Sequence, residues 1–293
     1  MYHRYLSAPD WDGEQTRKEW SQLLFAHPAD VSLWRRYLAF QQHGSGFGLT
    51  GLLSAFARCL DRMRQFQAGL MRPHRPPPRL EQFMLEVLSH LCRILRQAGF
   101  MERAIAIYQA LLELNLFSPP QDGSALASTL AAMEPFWDAR LARLGEPGAR
   151  GWPAELAARQ ERAPDESAEP VDELEERLLA ERRPRPEVWR LVECRREELH
   201  WLPWDRPGRE DDCEDTDRIV LFEDVKRFLF YLSPELLGRA VEDFVAFLSG
   251  EDSEDTSPGD DTLALLALDG GALGASFSVP AVGSRMDSSE CVE

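Results

Sequence analysis

Asp211, Cys213, Asp215 and Asp217 alternate along an acidic stretch, the pattern in which calcium loops present their ligands. The stretch lacks the turn glycine and the bidentate glutamate at loop position twelve, so it reads as a solvated acidic loop or a surface for a basic partner. Gly44-Ser45-Gly46-Phe47-Gly48-Leu49-Thr50-Gly51 superficially has the look of a phosphate cradle. It follows a helical segment rather than a strand and ends without the Lys-Ser/Thr pair of an ATPase loop, so it reads as a turn between helices. The six histidines are far apart, with none three or four residues from another, which leaves no metal-ligand set and no acid–base pair. No strained Gly-x-Ser-x-Gly turn or activated cysteine context occurs either. The residues argue against an enzyme, and no cofactor or metal is expected.

At 293 residues the chain is long enough for one long or two ordinary domains. Its formal net charge is −17, and the charge is unevenly placed. The first 150 residues carry 17 Arg/Lys against 14 Asp/Glu, and the rest carry 16 against 36. An overall charge of that sign repels phosphate backbones, although the mildly basic first half could touch RNA locally. The five cysteines (Cys59, Cys92, Cys194, Cys213, Cys291) form no Cys-x-x-Cys pair and no even framework, which suits reduced thiols in the cytosol or nucleus. No stretch approaches eighteen apolar residues, and the N-terminus opens no secretory leader.

The elements that would position any partner-binding residue are helical. Trp34, Tyr37 and Phe40 recur at threes along one face of a helix over 31–43, entered through His27-Pro28 with Asp30 or Ser32 as cap. Further helices are expected at 14–26, 50–66, 80–97, 100–115, 171–182, 186–200, 219–231 and 234–249. The run 72–79, rich in proline, must be loop. Ala104 to Leu112, with Tyr108 at its centre, is a small-plus-aromatic face of the kind that packs on a bulky helix. With no period-two run, the chain is expected to be all-α: an α-solenoid of antiparallel helical hairpins with disordered acidic loops and tail. Its expected organisation is hairpin repeats over 1–117 and a Pro/Gly/Ala/Glu-rich insertion with little regular structure over 118–185. Further repeats follow over 186–249, broken by an acidic loop at 205–217, and then a disordered tail over 250–293.

Within the repeats, Trp34, Tyr37, Phe40, Phe56, Tyr108 and Leu112 are the expected core, and Trp189 also falls at core spacing. Trp137, Trp152, Trp201 and Trp204 lie off the helical stripes in Pro/Gly-rich segments. They are candidates for a partner surface or for stapling loops onto the array, and Asp211 and Asp215 join them as candidate contacts.

Leu33-Trp34-x-x-Tyr37-x-x-Phe40 followed by Ala104-x-x-x-Tyr108-x-x-Leu111 resembles the half-a-tetratricopeptide repeat of RNA-processing scaffolds. In order along the chain come Leu95-Arg96-Gln97-Ala98-Gly99, Glu134-Pro135-Phe136-Trp137-Asp138, Gly148-Ala149-Arg150-Gly151-Trp152, His200-Trp201-Leu202-Pro203-Trp204, Glu210 to Asp215 and Arg218 to Asp224. Together these resemble the nuclear RNAi-defective-two family of nuclear exosome regulators, from about residue 15 to 250. The resemblance implies a nuclear adaptor, in the nucleoplasm and nuclear speckles, that associates with the exosome's RNA helicase and restrains it. It also implies support of splicing and small-RNA-directed silencing, contacts with splicing proteins, and a place in the middle of a longer protein.

An alternative drawn from the residues is an RNA-binding helical scaffold using Arg58, Arg62, Arg64, Arg72, Arg75 and Arg79. A third is a nucleotide-dependent enzyme built on Gly44–Gly51.

Overall fold

The computed structural model describes residues 13–43, 48–118, 126–139, 141–161, 170–198 and 219–250. Among these all regular structure is helical, as the absence of any period-two run predicts. Eleven helices are seen among the described residues. They are α1 (Gly13–Ala26), α2 (Val31–His43), α3 (Leu49–Gln67), α4 (Leu80–Gln97), α5 (Met101–Phe117), α6 (Leu126–Trp137), α7 (Trp152–Glu161), α8 (Val171–Ala180), α9 (Arg185–Glu198), α10 (Phe222–Lys226) and α11 (Pro234–Ser249).

Helices α1 to α6 each pack on the next in the chain. The α1–α2 turn is closed from both sides. Asp30 Oδ1 accepts the backbone N–H groups of Ser32 (2.9 Å) and Leu33 (3.2 Å), which makes Asp30 the cap. The Trp34 indole N–H donates to the Pro28 carbonyl at 3.0 Å, so the ring that fills the core also ties down the turn. Trp20 of α1 meets Tyr37 and Phe40 of α2 at ring separations of 5.8 and 5.9 Å. Trp34, Tyr37, Phe56, Tyr108 and Leu112 are all buried, and Phe40 is half-buried against the same core.

Helix α5 is buried almost all round, from Ala104 to Leu114. Its sequence is apolar on every side because five other helices, α4, α6, α7, α10 and α11, lie against it. Helix α11 does not extend the stack; it returns to lie over α4 and α5, where Phe244 stacks on Tyr108 at 5.1 Å.

Three expectations need correction. The segment 118–185 was expected to hold little regular structure beyond a helix over 171–182, which is α8, yet α6 and α7 also lie within it. The alanine-rich α6 and α7 have weak periodicity, and α6 is anchored by Met133, Phe136 and Trp137. The boundary at 185/186 cuts a hairpin, since α8 and α9 pair around their own cluster of Val171, Leu178, Val188 and Val192.

The helix expected over 219–231 is only the five-residue α10. The three consecutive residues Phe228, Leu229 and Phe230 are all fully buried, which one face of a helix cannot achieve. Helix side chains bind the non-helical backbone here in place of a ladder. Arg64 donates to Leu229 O (3.3 Å), Gln67 to Tyr231 O (2.8 Å) and Asn115 to Phe230 O (3.0 Å). Asn115 Oδ1 accepts Leu232 N–H (2.8 Å), and Glu81 accepts Ser233 N–H (2.7 Å).

Asn115→Ala strands two backbone groups at once, with an expected loss of about 2 kcal/mol. Urea denaturation checks this; a variant within experimental error of wild type would end the clamp account.

The tail from 251 and the acidic loop 205–217 lie outside the described residues, as do Gly44 to Phe47; the rest of that glycine-rich run leads into α3. Among the described residues no helix is long and apolar enough to cross a membrane. Cys59 and Cys92 are buried, and burial pushes both thiols well above their ordinary range; Cys194 is exposed.

Candidate functional site

Of the segments that carry the resemblance, 148–152 reaches the polar residues of α5, 134–138 meets 219–224 beside it, and 200–204 and 210–215 lie outside the described residues. Gln109 and Glu113 sit one turn apart and face the loop that joins α6 to α7. Glu113 Oε1 accepts the Leu144 N–H at 2.8 Å, and its Oε2 accepts the Trp152 N–H at 2.9 Å. The Gln109 side chain donates to Leu144 O at 2.9 Å and to Glu146 Oε1 at 3.4 Å. Glu146 Oε2 in turn accepts the Arg143 N–H at 2.9 Å, so the loop is closed on itself as well as on α5.

Burial raises the Glu113 carboxyl above its ordinary range, against the pull of its two backbone N–H partners. Arg143 lies with its guanidinium 3.8 Å from the centre of the Trp137 ring and donates to Trp137 O at 3.3 Å. Burial lowers its pKa, with Glu146, Asp138 and Glu113 opposing that shift.

Trp137 then links this loop to the segment that leads into α10. Its indole N–H donates to Val220 O at 3.1 Å, and its ring lies 6.2 Å from that of Phe222. Asp224 accepts the Leu221 N–H at 3.0 Å and starts α10. Arg150 and Glu155 form a two-pronged pair at 2.9 and 3.2 Å across the first turn of α7.

Gly151 has φ +92°, and a Cβ there would lie 2.5 Å from the Phe117 ring. Gly151→Ala is expected to cost about 2–3 kcal/mol from left-handed strain plus overpacking. Gly148→Ala shares the positive φ but meets open space, and about 1 kcal/mol is expected. Paired thermal melts of the two variants check the difference, and equal losses would refute the role of Phe117.

Apart from the exposed Arg150, the groups of this assembly are bonded to one another and to the backbone, so it acts as a clasp. Trp137 and Trp152 are 1% and 6% exposed, which removes them from the candidate contact surface and gives them the stapling role. Each is a residue through which a poorly periodic segment reaches the core. Trp201, Trp204, Asp211 and Asp215 lie outside the described residues.

Trp189 reverses its expectation, standing 68% exposed on α9 beside the buried Val188 and Val192. The six arginines of the RNA alternative divide. Arg72, Arg75 and Arg79 are exposed on the proline-rich loop, whereas Arg64 holds Leu229 and Asp61, Arg62 holds Gln65, and Arg58 lies over Tyr37. Sequence reasoning missed Gln109, Glu113 and Asn115. Their signal was three amide or carboxylate side chains set in an otherwise apolar helix, where each must find a buried partner.

Fold and clasp together define an all-helical protein in which irregular segments are fastened to one central helix. No group of three side chains able to hold a metal occurs among the described residues. Residues 5–251 match the family described as "NRDE-2, necessary for RNA interference", and the chain belongs to that family. It is 37% identical over 256 residues to the Mus musculus protein named nuclear exosome regulator NRDE2, covering 83% of this chain. It is 34% identical over 251 residues to the Homo sapiens protein of the same name, covering 81%. The Schizosaccharomyces pombe protein named NRDE2 homolog is 27% identical over 159 residues, covering 52% of this chain and 16% of its own length. The chain spans 22% of the length of the mouse and human relatives. No solved structure matches it.

Proposed function

We propose that this chain is a scaffold portion of a nuclear exosome regulator, acting by binding proteins and not by catalysis. The observation that carries the reading is that the mouse and human relatives, matched over 83% and 81% of the chain, are named nuclear exosome regulators. In finer terms, the helical-repeat array works in the nucleoplasm and nuclear speckles. There it associates with the RNA helicase that feeds the exosome, restrains RNA degradation, and supports splicing and RNAi-linked silencing.

Trp137 and Trp152 are spent on the core, so the contacts fall to the segment between α9 and α10. Trp201 and Trp204 anchor the partner, and Asp211 and Asp215 meet a basic groove on the helicase or on a splicing protein.

The test is an affinity pulldown of the chain from nuclear extract, with and without RNase, read by mass spectrometry. RNase-resistant recovery of the helicase is expected, falling about tenfold for the Trp201→Ala/Trp204→Ala pair, a loss typical of interface anchors. Recovery abolished by RNase would replace this reading with the RNA scaffold, and Asp211→Lys/Asp215→Lys would then strengthen capture. Recovery of neither class would overturn it for this portion of the family.

A further inference from the structure

The loop that joins α3 to α4 is held at both ends. Gln67, the last residue of α3, donates to Glu81 in the first turn of α4 at 3.1 Å. Met71 packs against the core, and Arg62 donates to its sulfur at 3.4 Å. Further on, Pro77 is buried, whereas Arg75, Pro76, Pro78 and Arg79 around it are exposed.

Local sterics set the shape between these anchors. Arg75, Pro76 and Pro77 each precede a proline, which drives them into extended, polyproline II-type backbone, and each proline ring fixes its own φ. Such a helix turns once in about three residues. With Pro77 inward, Arg75 and Pro78 share one outward edge, Pro76 takes the other, and Arg79 follows. Arg79 has φ +52°, a left-handed conformation disfavoured for a residue that carries a Cβ.

We propose that Arg75–Arg79 is a docking loop for a WW-type module, a small domain whose aromatic-lined groove grips a polyproline II segment. Carboxylates at the rim of that groove meet Arg75 and Arg79. This surface is separate from the segment between α9 and α10, and neither reading depends on the other.

Three observations choose this occupant. A ligand already fixed in its bound conformation loses little chain entropy on docking. An SH3-type groove reads prolines three apart on one continuous helix. The pair at that spacing here is Pro73 and Pro76, and Pro73 is folded into a turn in which the His74 N–H donates to Met71 O at 2.8 Å. Phosphate-binding loops use successive backbone N–H donors, which Pro76, Pro77 and Pro78 lack, and the net charge of −17 repels a polyanion.

Purified WW domains, with SH3 domains and a single-stranded RNA beside them, are the probes for binding to the full 293-residue chain at low and high salt. Saturable binding of WW domains is expected, weakened more than about tenfold by Pro76→Ala/Pro78→Ala. Arg79→Gly is expected to weaken the same binding about tenfold, the loss of one charge-assisted contact. Its melting temperature should not fall, because glycine suits both the left-handed φ and the start of α4. That variant separates loss of contact from loss of fold. Absence of WW binding overturns the proposal, and so does binding that survives Pro76→Ala/Pro78→Ala. Capture by SH3 domains alone overturns it too. Capture of the RNA alone, with affinity falling steeply as salt rises, would assign the loop to nucleic acid instead. Because the probes are purified, none of these outcomes depends on recovery of the helicase from extract.

Discussion

Trp137→Ala is expected to destabilise the chain by about 4–5 kcal/mol, at the upper end for an aromatic removed from a core. The ring is fully enclosed between Arg143 and Phe222, so truncation leaves a cavity that two separate segments must collapse to fill. It also strips the Val220 carbonyl of its donor and uncovers one face of a guanidinium whose pKa burial already lowers. A single domain is typically stable by 5–15 kcal/mol, so the loss would unfold a large share of the protein at body temperature. Trp137→Phe keeps the ring and loses the N–H, for an expected cost of about 1–2 kcal/mol. Urea denaturation followed by circular dichroism orders the three proteins. In hydrogen exchange, 141–152 and 219–233 should open first in both variants. If Trp137→Ala unfolds at the wild-type midpoint, Trp137 does not join the two segments.

Glu113→Ala is expected to cost about 4 kcal/mol, because two buried backbone N–H groups, those of Leu144 and Trp152, lose their acceptors together. Glu113→Gln keeps one acceptor oxygen and turns an NH2 against the second N–H, so roughly half that loss is expected. The pH dependence separates charge from geometry. The folded carboxyl has a raised pKa, so over the range above the unfolded value the native state binds more protons than the unfolded one. Stability from this group is therefore greatest at low pH and declines as pH rises through the raised value. The wild type should gain on Glu113→Gln as pH is lowered from 7 towards 5. Parallel curves for the two proteins would sink the assignment of that titration to Glu113.

How far the residues alone carried the reading can be judged at particular elements. Helices α2 to α5 stood out because apolar side chains recur at threes and fours and because Pro28, Asp30 and Gly99 mark their ends. The segment 118–161 did not stand out. Alanine weakens the contrast between faces, and the anchors of α6 crowd into its last turn, around a proline. The strap 227–233 misled for a different reason. A short wholly apolar run reads as a helix or as a buried extended segment, and only the groups that take its backbone hydrogen bonds decide between them. Those groups, Arg64, Gln67, Glu81 and Asn115, lie more than a hundred residues away.

The same distinction runs through the candidate site. Residue types and local spacing determined the all-helical class, the core faces around Trp34, Phe56 and Tyr108, and the motif segments that mark the family, since each depends on neighbours within a few turns of the chain. Whether a tryptophan outside a helical stripe meets a partner or the protein's own core is not a local property. Trp137 and Trp152 are buried because Val220, Arg143 and Glu113, from 6 to 83 positions away, close over them. Trp189 stays exposed because α8 covers the other side of its helix. Tertiary packing decided those fates, because burial is set by which surfaces remain once every backbone polar group has found its partner.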